Sequence, residues 1–176
     1  FTLALMAWAL NLFLDYLETG KPQTVLLVSL LAVLSQTTNP ISFAIVDMAF
    51  AGAVCTLWWN NRKIESRHIA VLAVIAFAQI PLLVYNFLVL SRDPFWRQFT
   101  AQNQTLSPPP IFYLWGFAPF WLFALYGIFL ALRERNPKLL ALTAWTVGGF
   151  ALAYLPVAIQ RRFILGITIP LAALAI

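Results

Sequence analysis

Four apolar runs, each long enough to cross a bilayer as a helix, constrain this chain more than any other feature. Ile69–Leu90 and Ile111–Leu132 each hold 22 residues without a charge. Leu139–Ile159 supplies 21 more, and Ile41–Trp59 supplies 19 with a single acid, Asp47. A hydrocarbon core about 30 Å thick takes roughly 20 residues of α-helix. A water-soluble domain needs a polar face on its surface helices and cannot repeat such runs. The expected fold is therefore all-α, a polytopic transmembrane helix bundle.

The composition agrees. The chain is 62% hydrophobic and 10% charged, whereas soluble domains are about half apolar and a quarter charged. Seven Trp and fifteen Phe suit interfacial belts and lipid-facing surfaces. A net charge of +5 would suit a nucleic-acid partner if the bases shared one face. They are instead scattered among short polar connections, so they read as topology signals, and the expected partners are membrane lipids rather than nucleic acid. Cys55 is the single cysteine, which excludes a disulfide framework and a thiolate metal site within the chain. No paired-His spacing, Gly-rich phosphate loop or Ser/His/Asp constellation is present, so no metal or cofactor is expected.

Seven apolar segments follow one another, at about 1–14, 23–37, 41–59, 69–90, 111–132, 139–159 and 163–176. They describe one transmembrane domain over residues 1–176 with six to seven membrane segments. The second is short for a full crossing. It is tilted, broken, or joined to the third by a re-entrant turn at Thr37-Thr38-Asn39-Pro40, because the residue before a proline avoids the helix. Breaks are expected near 15–22, 38–40, 60–68, 91–110, 133–138 and 160–162. Both ends fall inside apolar runs, so the chain reads as a piece of a larger membrane protein.

Orientation follows from Lys and Arg in the short connections. On one side lie Lys21, Arg62, Lys63, Arg67, Arg133, Arg135 and Lys138; on the other lie Arg92, Arg97, Arg161 and Arg162. The bias of seven against four places Asn60–His68 and Arg133–Lys138 in the cytoplasm, in a plasma (inner) membrane. It places Ser91–Pro110 and Arg161-Arg162 outside.

Several residues could carry chemistry. Arg161 and Arg162 sit where the charge rule disfavours them, and two guanidiniums offer forked donors matched to phosphate. Snorkelling to lipid headgroups is the plain alternative. Asp47 is an intramembrane acid, which costs roughly 2.5–3.5 kcal/mol on insertion scales. It is either functional, with an outer-surface arginine as a candidate partner, or hydrogen-bonded within the bundle. Gln79 and Asn86 are seven residues apart on one helix face, with Pro81 between them. They line a polar path or join helices. Asp93-Pro94 reads as an N-cap followed by proline at the first helical position. Phe95, Trp96 and Phe99 then share a face, which describes a short interfacial helix near 93–104. Such a helix is an ordinary connector or a lip over a lipid groove. Asn103-Gln104-Thr105 matches a glycosylation triplet of low specificity. Ala144, Gly148 and Ala151 form a small-residue stripe suited to close helix packing, and His68 is expected to be solvated in its basic connection.

Two stretches resemble the GT-C fold membrane glycosyltransferases, multi-spanning enzymes that use polyprenyl-phosphate sugars. In Leu26–Trp59, Leu34-Ser35-Gln36-Thr37-Thr38-Asn39-Pro40 is similar to the Thr- and Pro-containing turn between paired helices of that family. In Tyr154–Ile176, Arg161-Arg162-Phe163 leads to Ile169-Pro170-Leu171-Ala172-Ala173-Leu174, similar to an outer arginine, an aromatic and a Pro-containing helix there. The resemblance implies that Arg161 or Arg162 contacts the phosphate of a polyprenyl-phosphate-linked sugar. It also implies a catalytic acid in a large outer loop, which does not occur in residues 1–176. A non-enzymatic membrane subunit and a transporter or permease domain remain open on the same residues.

Overall fold

The computed structural model describes residues 1–63 and 65–176; Ile64, in the Asn60–His68 connection, lies outside the described residues. Nine α-helices occur among them: α1 (Thr2–Thr19), α2 (Pro22–Thr38), α3 (Ser42–Asn61), α4 (Ser66–Arg92), α5 (Pro94–Gln102), α6 (Pro110–Gly116), α7 (Ala118–Glu134), α8 (Pro137–Leu152) and α9 (Thr168–Leu174). A 3-10 turn covers Gln160–Ile164. No described residue is in a strand. The fold of the described residues is all-α, as lipid-exposed backbone must be when it is not closed into a barrel.

Proline sets many of these starts. Pro22, Pro94, Pro110 and Pro137 open α2, α5, α6 and α8, where a missing N–H costs no hydrogen bond and the fixed φ suits the helix. Asp93 caps α5 by accepting from the N–H groups of Phe95 at 2.8 Å and Trp96 at 3.3 Å. Asn136 does the same for α8 through the Lys138 N–H at 2.9 Å.

Two boundaries differ from the sequence pattern, and a third settles between its alternatives. The uncharged run 111–132 is two helices, α6 and α7, bent by 92°. Pro119 cannot donate to the carbonyl four residues back, and its ring crowds that carbonyl. Gly116, beside it, brings no side chain to hold the helix straight. The run 139–159 stops being helical at Leu152, short of the break expected at 160–162. Pro156 pushes Leu155 out of the helical region, and residues 153–159 turn irregularly. The second segment, conversely, is one unbroken helix. Asn39, Pro40 and Ile41 turn it directly into α3, helped by a 3.2 Å bond from the Ile41 N–H to Asn39 Oδ1.

Two helices, α3 and α4, are long and apolar enough to cross a membrane, and the bent α6–α7 pair makes a third if it counts as one span. The outer faces of α4, α6 and α7 expose Phe77, Phe87, Phe112, Trp115, Leu122 and Phe123. Apolar surface of that extent does not persist in water, and it suits insertion into lipid.

α1 lies against α2 and α3, α2 against α4, and α3 against α8, while α7 and α8 enclose α9. Phe13 and Phe50 meet at 4.4 Å between ring centroids in a core that includes Met6, Ala9, Val46 and Trp145. The α3–α8 seam is close. A side chain at Gly52 would collide with Ala144, and one at Gly148 would meet Met48. Ala144 and Gly148 thus face α3, but Ala151 is exposed, and the fully buried Ala141 completes the small-residue face. Gly127 gives α9 a similar approach, since a Cβ there would strike the Leu174 carbonyl.

The bundle has two distinct ends. At one, the Asn60 amide donates to the Arg135 carbonyl at 3.0 Å, Lys138 meets Glu18 at 3.0 Å, and the Arg135 guanidinium lies 4.9 Å over the Trp59 ring. At the other, the Thr2 and Thr38 hydroxyls bond at 2.7 Å beside the irregular segments 103–109 and 153–159.

Candidate functional site: an arginine cleft at one end of the bundle

The cleft is built from chain breaks. α8 stops at Leu152, and the 3-10 turn then carries Arg161 and Arg162 outward while Phe163 is buried behind them. The proline-rich stretch before α6 runs alongside. The Thr105 N–H donates to the Ala158 carbonyl at 2.7 Å, and the Arg161 N–H donates to the Thr105 carbonyl at 2.9 Å. Side chains tighten the seam. Gln160 accepts from the Ser107 N–H at 2.9 Å and donates to the Leu155 carbonyl at 2.7 Å. The Tyr154 hydroxyl donates to the Pro108 carbonyl at 2.9 Å. These bonds replace the helical partners that the broken segments lack.

The result is an open cleft of about 810 Å³. Arg161, Arg162, Thr105 and Tyr113 face Thr2 and the Thr38-Asn39-Pro40 turn across it. The lining contains no carboxylate. Both arginines are exposed, and neither guanidinium forms an ion pair or side-chain hydrogen bond with the described residues. Thr105 Oγ1 is enclosed without a partner. The cleft can thus supply two forked cations, hydroxyls and an amide to an anion, with no acid competing for them. The Thr38–Pro40 turn and the Arg161-Arg162 pair, more than a hundred residues apart, line one site.

The other polar residues lie elsewhere. Gln79 donates to both oxygens of Asp47, at 3.0 and 3.1 Å, and to the Ile75 carbonyl at 3.3 Å. The partner of Asp47 is therefore an amide on α4 rather than an arginine. Asn86 is half-buried and has no side-chain hydrogen bond among the described residues. α4 continues unbroken through Pro81. His68, expected in solvent, is only 5% exposed. It sits in the first turn of α4 and lines a small cavity with Cys55, Trp58 and Ile69, because α4 begins before the polar connection has cleared the bundle.

α5 carries Phe95, Trp96 and Phe99 as an exposed aromatic trio, with ring centroids 5.5 to 6.4 Å apart. Asn103 folds back to donate to the Phe99 carbonyl at 2.9 Å. The sequence missed Thr38, Asn39, Thr105, Tyr113 and Gln160 as site residues. Their roles come from backbone pairing and turn position; the Thr37–Pro40 turn pointed to Thr38 and Asn39, and the adjacency of Gln160 to Arg161 was the other signal. No protein family, characterised protein or solved structure matches this chain.

Proposed function

We propose that this chain is the membrane-embedded part of a glycosyltransferase that uses a lipid-phosphate-linked sugar. In this reading the Arg161–Arg162 cleft binds the phosphate of the polyprenyl carrier. The observation that carries it is the meeting, in one cleft without a carboxylate, of the two stretches that resemble GT-C enzymes. The lining suits such a ligand, with two guanidiniums for the phosphate and Thr2, Thr38, Asn39 and Tyr113 for neutral polar groups next to it. The catalytic acid then lies outside residues 1–176.

The same reading has the bundle cross the membrane six to seven times, with the shorter apolar helices completing the set that α3 and α4 begin. Asn60–His68 and Arg133–Lys138 face the cytoplasm of a plasma (inner) membrane. The cleft opens outward, and α5 rests in the outer interface, with its aromatic trio in the headgroup region. The Asp47–Gln79 bond joins α3 to α4, as interhelical polar pairs do in membranes, which favours the enzyme reading over a polar transport path.

The test is polyprenyl-phosphate binding by the full-length protein carrying Arg161→Lys and Arg162→Lys. Lysine keeps the charge and loses the planar fork, so a phosphate clamp predicts binding weakened by about tenfold or more. A snorkelling pair predicts no change, and unchanged binding would remove the clamp.

A further inference from the structure

We propose that the groove between α3 and α8, near the basic end of the bundle, holds one acyl chain of an anionic phospholipid whose headgroup sits on Arg135. This inference rests on the membrane reading but not on the arginine cleft, which lies at the opposite end.

The groove has a volume of about 370 Å³. Gly52, Thr56 and Trp59 of α3 and Thr143, Ala144 and Val147 of α8 line it. On both helices these positions recur at three- and four-residue spacing, so each helix gives one continuous stripe. The depression exists because Gly52 and Ala144 are small and let the backbones close at its floor. Its two hydroxyls are already satisfied: Thr56 Oγ1 donates to the Gly52 carbonyl at 2.8 Å, and Thr143 Oγ1 to the Leu139 carbonyl at 2.9 Å. Each threonine therefore offers no free donor, and the groove suits hydrocarbon.

One end of the groove is charged. Trp59 forms its rim, and the Arg135 guanidinium lies 4.9 Å over that ring. Arg135 makes no ion pair among the described residues. It ends α7 with a φ of 52°, a left-handed conformation that glycine fills at lower cost. The Asn60 amide holds its carbonyl at 3.0 Å. Asn60 anchors the Arg135 backbone, and the guanidinium lies over Trp59, so the cation stands beside the Trp59 rim of the slot. Trp58 and Trp59 are exposed and mark the interfacial level. Those features match an acyl chain below and an anionic headgroup above.

The experiment is native mass spectrometry of the full-length protein carrying Arg161→Gln and Arg162→Gln, which silences the cleft. The probes are phosphatidylglycerol and phosphatidylcholine of equal chain length. One phosphatidylglycerol should be retained about fivefold more strongly than phosphatidylcholine. Arg135→Gln should abolish that preference. Val147→Trp should abolish retention of both lipids, and it spares the core because Val147 is 55% exposed. Equal retention of the two lipids by the protein that keeps Arg135, or a preference that survives Arg135→Gln, would overturn the proposal. So would retention that Val147→Trp leaves unchanged, or a two-chain species that Val147→Trp dissociates, which would make a second copy the occupant.

Discussion

The two ends of the bundle both carry arginine, and they use it differently. At the basic end the connections are short and three of the charges have partners within the protein. Lys138 meets Glu18, Arg67 meets Glu65, and Arg135 covers Trp59. Arg62 and Arg135 also terminate α3 and α7 in the left-handed conformation. At the cleft end the helices stop early, and the backbone of 105–107 is stitched to that of 158–161. There Arg161 and Arg162 face an open cleft without a carboxylate. Arg62 and Arg135 thus serve as helix ends. Arg161 and Arg162 close no helix end, and in the proposed reading their partner is an external anion.

The sharpest test of that contrast uses one glycine from each end. Gly166 (φ 77°) follows the arginine pair, and a Cβ there would run into Leu3. Gly20 (φ 68°) ends α1, and its nearest neighbour would be the flexible tip of Arg67 at 3.6 Å. Gly166→Ala should cost about 2–3 kcal/mol, as left-handed strain plus a clash. Gly20→Ala should cost about 1 kcal/mol, as strain alone. Denaturation in mixed micelles measures both, and equal losses would erase the difference in packing between the ends.

A smaller effect is expected midway between the ends. Gln79→Leu leaves the Asp47 carboxyl without its amide donor and should destabilise the bundle by about 1–2 kcal/mol. Polyprenyl-phosphate binding should be unchanged, because neither residue lines the cleft. A loss of binding at constant stability would tie this pair to the site.

The smallest effect belongs to the basic end. Lys138 and Glu18 are each about 60% exposed, and exposed pairs contribute little. Lys138→Ala should shift the melting temperature barely measurably, and salt should erase the shift. A large loss would mean that the basic end is held by its charges rather than by its short turns.

Much of this fold was legible in the sequence because lipid imposes a simple rule: charge-free runs of sufficient length become helices. The Asp93-Pro94 start of α5 and its aromatic face were also local, written within a few residues. The bend at Gly116 and the early end of α8 were not. Both fall inside uninterrupted apolar sequence, where Pro119 and Pro156 are the only marks and a proline can equally be carried through, as Pro81 is in α4. The arginine pair stood out by its charge. Its surroundings did not, because Thr105 holds the turn through backbone groups that any residue but proline could supply. The Asp47–Gln79 bond joins residues 32 apart, and both were singled out, but no local pattern paired them.

Everything proposed for the cleft end depends on Arg161 and Arg162 forming a lipid-phosphate site. Photo-crosslinking of the full-length protein reports on this without an activity assay. The probe is a polyprenyl phosphate bearing a diazirine beside the phosphate, and peptide mapping locates the adducts. Adducts are expected on peptides containing Thr105–Ser107, Gln160–Leu165 and the Thr38–Pro40 turn, and should disappear in the Arg161→Lys, Arg162→Lys protein. Adducts confined to the basic end around Asn60 and Arg135, or spread evenly over the outer faces of α4 and α7, would contradict the phosphate site.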